Sequence, residues 1–160
     1  TLILPVRWNL ATAKPVLGTN PTEKLLTNGI RGSLKYSDFE WCSWADNDSV
    51  SFTIDLLKPE MLNTLILGCI TNNGMAIHKP ASVRVEVSDD NSKFREAVVQ
   101  SFTSEEIFRE GNFIENLSLK LGGTQARYVR VTAKGPGVCP ASHVRPGQTS
   151  RIFFDEVMLE

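Results

Sequence analysis

The sequence predicts an all-β protein, an antiparallel sandwich or distorted barrel of about seven or eight strands. Three observations carry that reading. Apolar and polar residues alternate with period 2 in four separate segments, the pattern of strands with one buried and one wet face. Turn-forming clusters fall between these segments. Helical periodicity is thin throughout.

The first strand follows from Val50, Phe52, Ile54 and Leu56 alternating with Ser51, Thr53 and Asp55. Residues 65–70 are more continuously apolar and read as a strand buried on both faces. Val83, Val85 and Val87 then alternate with Arg84, Glu86 and Ser88, and 94–102 supplies a partner strand. Asp89-Asp90-Asn91-Ser92 makes the turn between them. Leu117, Leu119 and Leu121 alternate with Ser118 and Lys120 up to a second turn, Leu121-Gly122-Gly123-Thr124. Val129, Val131 and Ala133 continue beyond it, and 150–159 is the last strand. Thr103-Ser104-Glu105-Glu106 caps one helical turn, and Asn20-Pro21-Thr22-Glu23 starts another. The polar stretches 36–48, 71–79 and 134–149 read as loops, where a sandwich carries its function.

At 160 residues the chain is long enough for one domain with a substantial core and too short for two. We place a linker or edge strand at 1–8 and a single domain at 9–160. The chain lacks an initial Met, and its opening is too short and uncharged for a signal peptide, so it reads as a piece of a longer protein. A net charge of −1 without a basic run favours neither nucleic acid nor an anionic membrane. No stretch approaches the roughly 20 apolar residues that span a bilayer. Three cysteines, Cys42, Cys69 and Cys139, form no closed disulfide framework and no Cys-x-x-Cys, so buried thiols are expected, with one disulfide left open.

The two ends of the domain carry features that look made to meet. Leu25-Leu26-Thr27-Asn28-Gly29-Ile30-Arg31-Gly32-Ser33 is a tight, oxygen-rich turn. Arg151-Ile152-Phe153-Phe154-Asp155-Glu156-Val157 is an apolar strand interrupted by an acidic pair, which is costly unless compensated. A hard cation takes oxygen ligands of this kind. One structural metal tying the ends together would account for both. The alternative is an Asn-Gly turn chosen for positive φ, with Glu156 paired to a Lys or Arg.

From residue 9 onward a series of elements follows in order: Asn9-Leu10-Ala11-Thr12-Ala13-Lys14-Pro15-Val16, the 26–33 turn, Trp41 and Trp44, and Ile54-Asp55-Leu56. It continues through the strand and hairpin at 80–94, Ala126-Arg127-Tyr128-Val129-Arg130-Val131, and Phe154-Asp155-Glu156-Val157. In that series the chain resembles the discoidin, or coagulation factor 5/8 type C, domains. Within that family it is most similar to carbohydrate-binding modules of family 32, as appended to bacterial β-N-acetylhexosaminidases (chitobiases). Gly29-Ile30-Arg31-Gly32-Ser33 and the Cys139-Pro140 loop before the last strand carry that narrower likeness.

The resemblance implies an eight-stranded, jelly-roll-like antiparallel β-sandwich, galactose-binding-domain-like, that binds sugars without catalysis. It implies structural calcium, or sodium in its place, held by the carbonyls of Leu25 and Ile30 and by Asn28, Ser33 and Glu156. It implies a glycan with terminal galactose, N-acetylgalactosamine or N-acetylglucosamine at the loop-bearing end. Sugar recognition needs an aromatic face and planar polar side chains. The candidates are Asp38, Trp44, Asp46, Asn72, Asn73, His78, His143 and Arg145. Trp41 aligns with a core tryptophan, and Trp44 reads either way. Asp46 and Asp48 read equally as turn caps. Met75 stands where relatives often display an aromatic.

No Gly-x-Ser-x-Gly, Walker-type loop or His-Glu-x-x-His is present, and two histidines leave no three-histidine metal site. Together with these absences, the resemblance implies a monomeric accessory domain, not an enzyme, attached to a glycoside hydrolase and exported to the periplasm, cell surface or medium. Two alternatives stay open. One is a structural interdomain module without a ligand; the other, which the acidic 38–48 loop disfavours, is a phospholipid-binding or adhesive discoidin domain.

Overall fold

The computed structural model describes residues 23–44 and 49–160. The expectations on 1–22, including the edge strand, the 9–16 motif and the helical start at residue 20, lie outside the described residues, as do Asp46 and Asp48. Strands dominate the remainder: β1 (Cys42–Trp44), β2 (Ser49–Asn72), β3 (Ser82–Ser88), β4 (Arg95–Ser101), β5 (Asn112–Lys134) and β6 (Ile152–Leu159). One short helix, α1 (Ser104–Ile107), stands between β4 and β5. The neighbour order is β1-β6-β2-β5-β3-β4, with every pairing antiparallel.

The two long strands explain how six strands do the work of eight. β2 and β5 pair along their whole length, but the register breaks between Asp55 and Glu60 and again between Leu62 and Thr64. Leu57 takes φ 70° at the first break, held by its N–H donating to Asp55 Oδ1 at 2.8 Å. At the second, Gly122 and Gly123 take positive φ where a side chain would be strained. Long strands that change layer through such irregularities make the corners of a sandwich. β3 pairs with the Tyr128–Lys134 half of β5, whereas β6 pairs with the Leu65–Cys69 part of β2. The predicted turn at 121–124 is thus an irregularity inside one strand, because pairing resumes on both sides of it.

The core lies between these halves. Val50, Phe52, Ile54, Val83, Val85 and Val131 pack in one cluster with Leu65, Leu67, Leu119, Phe154 and Val157. Each fully buried aliphatic or aromatic side chain contributes roughly 1.5–3 kcal/mol relative to exposure. A smaller cluster, Trp41, Ile70, Ile77 and Phe153, closes one end. The 36–48 stretch, expected as loop, includes β1, because Cys42 and Trp44 alternate into the core while pairing with β6. The Thr103–Glu106 prediction is realised as a capping box. Thr103 Oγ1 accepts the Glu106 N–H at 3.2 Å, and the Glu106 carboxylate accepts the Thr103 N–H at 2.7 Å. Cys42, Cys69 and Cys139 are buried and none is disulfide-bonded.

Candidate functional site

Two polar clusters are built into the loops that join this framework. The first joins the glycine turn to β6. Gly29, at φ 79°, turns the chain after a 3-10 turn at Glu23–Thr27, and the Asn28 N–H donates to the Leu25 carbonyl at 3.3 Å. Asn28 Oδ1 accepts the Ile30 N–H at 2.9 Å, while its Nδ2 donates to Glu40 at 2.8 Å. The Gly29 N–H donates to Glu156 Oε2 at 3.1 Å. Arg31 Nε and the Gly32 N–H both donate to Asp155 Oδ2, at 2.8 and 2.9 Å.

The strand geometry makes this junction. Phe154 pairs with Cys69 and Val157 with Leu67, so Asp155 and Glu156 together oppose Gly68 in a bulge. Bulges re-aim side chains that strict alternation would separate. Gly68 is required there, since a Cβ would fall 1.9 Å from Asp155 Oδ1 and 2.6 Å from an Arg31 nitrogen. Gly32 is required for a second reason: its Cβ would lie 2.3 Å from the Trp41 ring, whose Nε1 donates to the Ser33 carbonyl at 2.9 Å.

Asp155 and Glu156 are fully buried, and Asp155 Oδ1 and Glu156 Oε1 have no hydrogen-bond partner. Burial, above all, pushes the Glu156 carboxyl up to about 8. The Leu25 carbonyl accepts the Asn28 N–H, Ile30 and Ser33 are exposed, and Ser33 Oγ accepts the Lys35 N–H at 3.3 Å. The orphaned, buried carboxyl oxygen of Glu156 fits a hard cation, which takes oxygen ligands.

The second cluster joins the 71–79 loop to the 134–151 loop. The Arg151 N–H donates to the Ala76 carbonyl and the His78 N–H to the Arg151 carbonyl, at 3.0 and 3.1 Å. These bonds bring His78 against Ser150 and His143, all buried. Ser150 Oγ donates to the Ala76 carbonyl at 3.0 Å, so it accepts from His78 Nδ1–H at 2.7 Å. The Arg145 N–H donates to His143 Nδ1 at 2.9 Å, which leaves the His143 proton on Nε2, 3.2 Å from His78 Nε2. Burial, followed by His143, lowers the His78 imidazole to about 4, so it is neutral at physiological pH.

Phe108 sits edge-on to both rings, at centroid distances of 5.0 and 6.2 Å. Beside this group a cavity of about 360 Å³ opens between Asn73, Glu105, Phe108, Glu110, Pro140 and His143. Its floor offers an aromatic edge, an amide, and two carboxylates.

The other sequence candidates are dispersed. Trp44 is a correction: it lies in the main core, stacked on Phe52 at 6.4 Å and edge-on to Phe154 at 5.6 Å, because β1 turns it inward. Asp38 closes the first cluster's loop, accepting the Glu40 and Ser33 N–H groups at 2.8 and 3.1 Å, and these bonds lower its carboxyl. Asn72 caps the 3-10 turn Asn73–Met75 by accepting the Met75 N–H at 3.2 Å. Arg145 is exposed; its Nε donates to the Gly74 carbonyl and its Nη1 to Gln148 at 3.3 Å. Asn73, His78 and His143 do come together. Met75 stands on the 71–79 loop, and the aromatic beside His78 and His143 is Phe108, one residue beyond α1. Arg31, Asp155 and Gly68 were not among the candidates, although a glycine inside an apolar run marks a close approach.

A layered antiparallel sandwich with polar clusters in its loops defines the class of galactose-binding-like β-sandwich modules. Residues 11–144 match the F5/8 type C domain, and the chain belongs to that family, one of non-catalytic binding modules. Among curated protein sequences none matches it. Solved structures share its fold. CpGH89CBM32-6, produced by Clostridium perfringens, is 16% identical with TM-score 0.56, over 96% of this chain and 98% of that one. CpGH89CBM32-5 from the same organism, in complex with GalNAc-β-1,3-galactose, is 14% identical with TM-score 0.55, over 92% and 91%. The C-terminal domain of a chitobiase from Bacteroides fragilis is 19% identical with TM-score 0.52, over 86% and 78%.

Proposed function

We propose that this chain is a carbohydrate-binding module that holds an attached glycoside hydrolase, a β-N-acetylhexosaminidase of the chitobiase type, to glycans outside the cytoplasm. The observation that carries the reading is the loop-end cavity, lined by Phe108, Asn73 and two carboxylates on the fold of a binding-module family. A pyranose presents C–H groups that pack on an aromatic ring and hydroxyls that donate to carboxylate and amide oxygens. The ligand is a terminal galactose, N-acetylgalactosamine or N-acetylglucosamine, bound weakly by a monomer. Support for the amino sugars comes from the GalNAc-containing ligand of one structural relative.

The same reading includes calcium, or sodium, at the first cluster. The carbonyls of Leu25 and Ile30, with Asn28, Ser33 and Glu156, would hold it. When bound it supplies positive charge that offsets the buried carboxylate. The chain's own part is to gather those oxygens at the junction of the turn and β6.

An NMR titration with galactose, N-acetylgalactosamine, N-acetylglucosamine and chitobiose tests the sugar site. Shifts are expected at Asn73, Glu105, Phe108 and His143, and Phe108→Ala should remove them while leaving the core spectrum intact. Silence at millimolar ligand would abandon this reading for an interdomain structural role.

A further inference from the structure

We propose that His78, Cys139 and His143 form a second metal site, selective for a borderline transition ion such as Zn²⁺ and separate from the oxygen cluster at Glu156. All three side chains are buried, and one ligand atom from each lies within 4.8 Å of the others. Nitrogen and thiolate donors in a dry site suit zinc rather than calcium.

The first argument is geometric. Zn–N bonds of about 2.05 Å at tetrahedral angles place two ligand nitrogens about 3.3 Å apart. The two Nε2 atoms are 3.2 Å apart. A Zn–S bond of about 2.3 Å needs an N–S edge of about 3.6 Å, and since the ligand atoms lie within 4.8 Å of one another Cys139 has at most about one ångström to close. Its backbone position is fixed by the Cys139 N–H donating to the Gln148 carbonyl at 2.9 Å and its own carbonyl accepting the Gly147 N–H at 3.0 Å. Rotation about the side chain supplies the movement.

The second argument is a shortage of protons. His78 Nδ1–H is spent on Ser150, so His78 Nε2 presents a lone pair. Asn73 Oδ1 stands 3.2 Å from that same nitrogen, and Cys139 Sγ is nearby. Electron-rich atoms converge on one point, with the His143 Nε2 proton and the Cys139 thiol proton to share among them. A cation answers that convergence better than these two protons do. The Ser150–His78 bond is the outer-shell contact that fixes a ligating imidazole's tautomer.

Binding is balanced as follows. The Cys139 thiol loses its proton to solvent and the thiolate takes the metal. The His143 proton moves from Nε2 to Nδ1, so the Arg145 N–H must turn away from that nitrogen. The exposed loop around Arg145 absorbs the change. Asn73 Oδ1, or a water entering from the cavity, fills the fourth position.

Titrating the full chain with Co²⁺ reads the site directly. Stoichiometric Co²⁺ should give the visible bands of tetrahedral cobalt and a thiolate-to-cobalt charge-transfer band. Cys139→Ser should delete the charge-transfer band, and His143→Ala should weaken Zn²⁺ competition at least tenfold. Ser150→Ala, which removes a positioning residue, should lower affinity about 10–100-fold without changing the band positions. Glu156→Gln should leave the cobalt spectrum intact. Wild-type protein without a charge-transfer band would overturn the proposal, as would a spectrum lost in Glu156→Gln but kept in Cys139→Ser. If the cysteine variant does not fold, alkylation of wild type with mass mapping decides. Zn²⁺ should protect Cys139 and a chelator should restore its labelling; equal labelling in both conditions would refute the site.

Discussion

The two polar clusters solve the same problem, burying polar groups among the loops of a sandwich, by opposite means. At the 28–33 turn the buried groups are two carboxyls, and Arg31, two backbone N–H donors and a glycine-lined space compensate them. At the 72–78 and 139–150 loops the groups are neutral and satisfy one another through a chain from Ala76 to Ser150, His78, His143 and Arg145. A charged cluster fails catastrophically when one member is lost. A neutral chain loses one bond at a time. The contrast can be broken experimentally, and the expected effects differ in size.

Arg31→Met should have the largest effect. It leaves the fully buried Asp155 carboxylate with the Gly32 N–H and no counter-charge, and breaking a buried pair costs about 3–5 kcal/mol. Urea unfolding should show this loss, and adding Asp155→Asn should restore part of it. If the single variant loses less than the double, the charge pairing is not what holds the turn to β6. Next comes the cation. At about 100 times its Kd a bound ion adds about 2.7 kcal/mol, so calcium should raise the wild-type melting temperature and EDTA should reverse it. Glu156→Gln should be indifferent to both, and a calcium response that survives in this variant would remove Glu156 from the ligand set.

The neutral cluster predicts a smaller change. Ser150→Ala strands the His78 Nδ1–H, while the Ala76 carbonyl keeps the Arg151 N–H, and one buried unsatisfied group costs about 1–3 kcal/mol. Calcium should stabilise this variant as much as it does wild type. Loss of the calcium response here would mean the two clusters are coupled, not independent.

How much of this was legible depended on where each cluster sits in the strand pattern. Period-2 alternation exposed the first part of β2, β3 and the two halves of β5, because half-buried strands write their faces into sequence. β6, buried along its whole length, showed instead as an apolar run, and the acidic pair was visible because it interrupts that run, which only compensation allows. Its partner Arg31 was not, because the bulge opposite Gly68 decides which acid meets which donor. Trp44 read either way in the sequence, and three residues of pairing with β6 suffice to bury it. The His78, Cys139 and His143 group left no spacing signature. Its members meet through a parallel bridge between Ile77 and Arg151, a contact across 74 residues that no local pattern records.

Asp90 sharpens the comparison from outside both clusters, since it uses the same carboxylate-to-amide device in the open. Its Oδ1 accepts the Lys93 and Ser92 N–H groups, each at 2.9 Å, and the Ser88 hydroxyl at 2.9 Å. These bonds, the Lys93 N–H foremost, hold its carboxyl down at about 2 against an ordinary 3.8. The folded state therefore prefers the ionised form. That contribution is fully present above pH 3.8 and is lost as pH falls through about 2. Asp90→Asn should be less stable than wild type near neutrality, and the gap should shrink as the solution is acidified across that window. Exposure keeps the effect the smallest of the four, because water competes for every one of these donors. A gap as large as that of Arg31→Met would mean that amide donors alone, without burial, give a carboxylate its structural weight. A small, pH-dependent gap assigns that weight at Asp155 to desolvation, and makes Arg31 the residue that permits it.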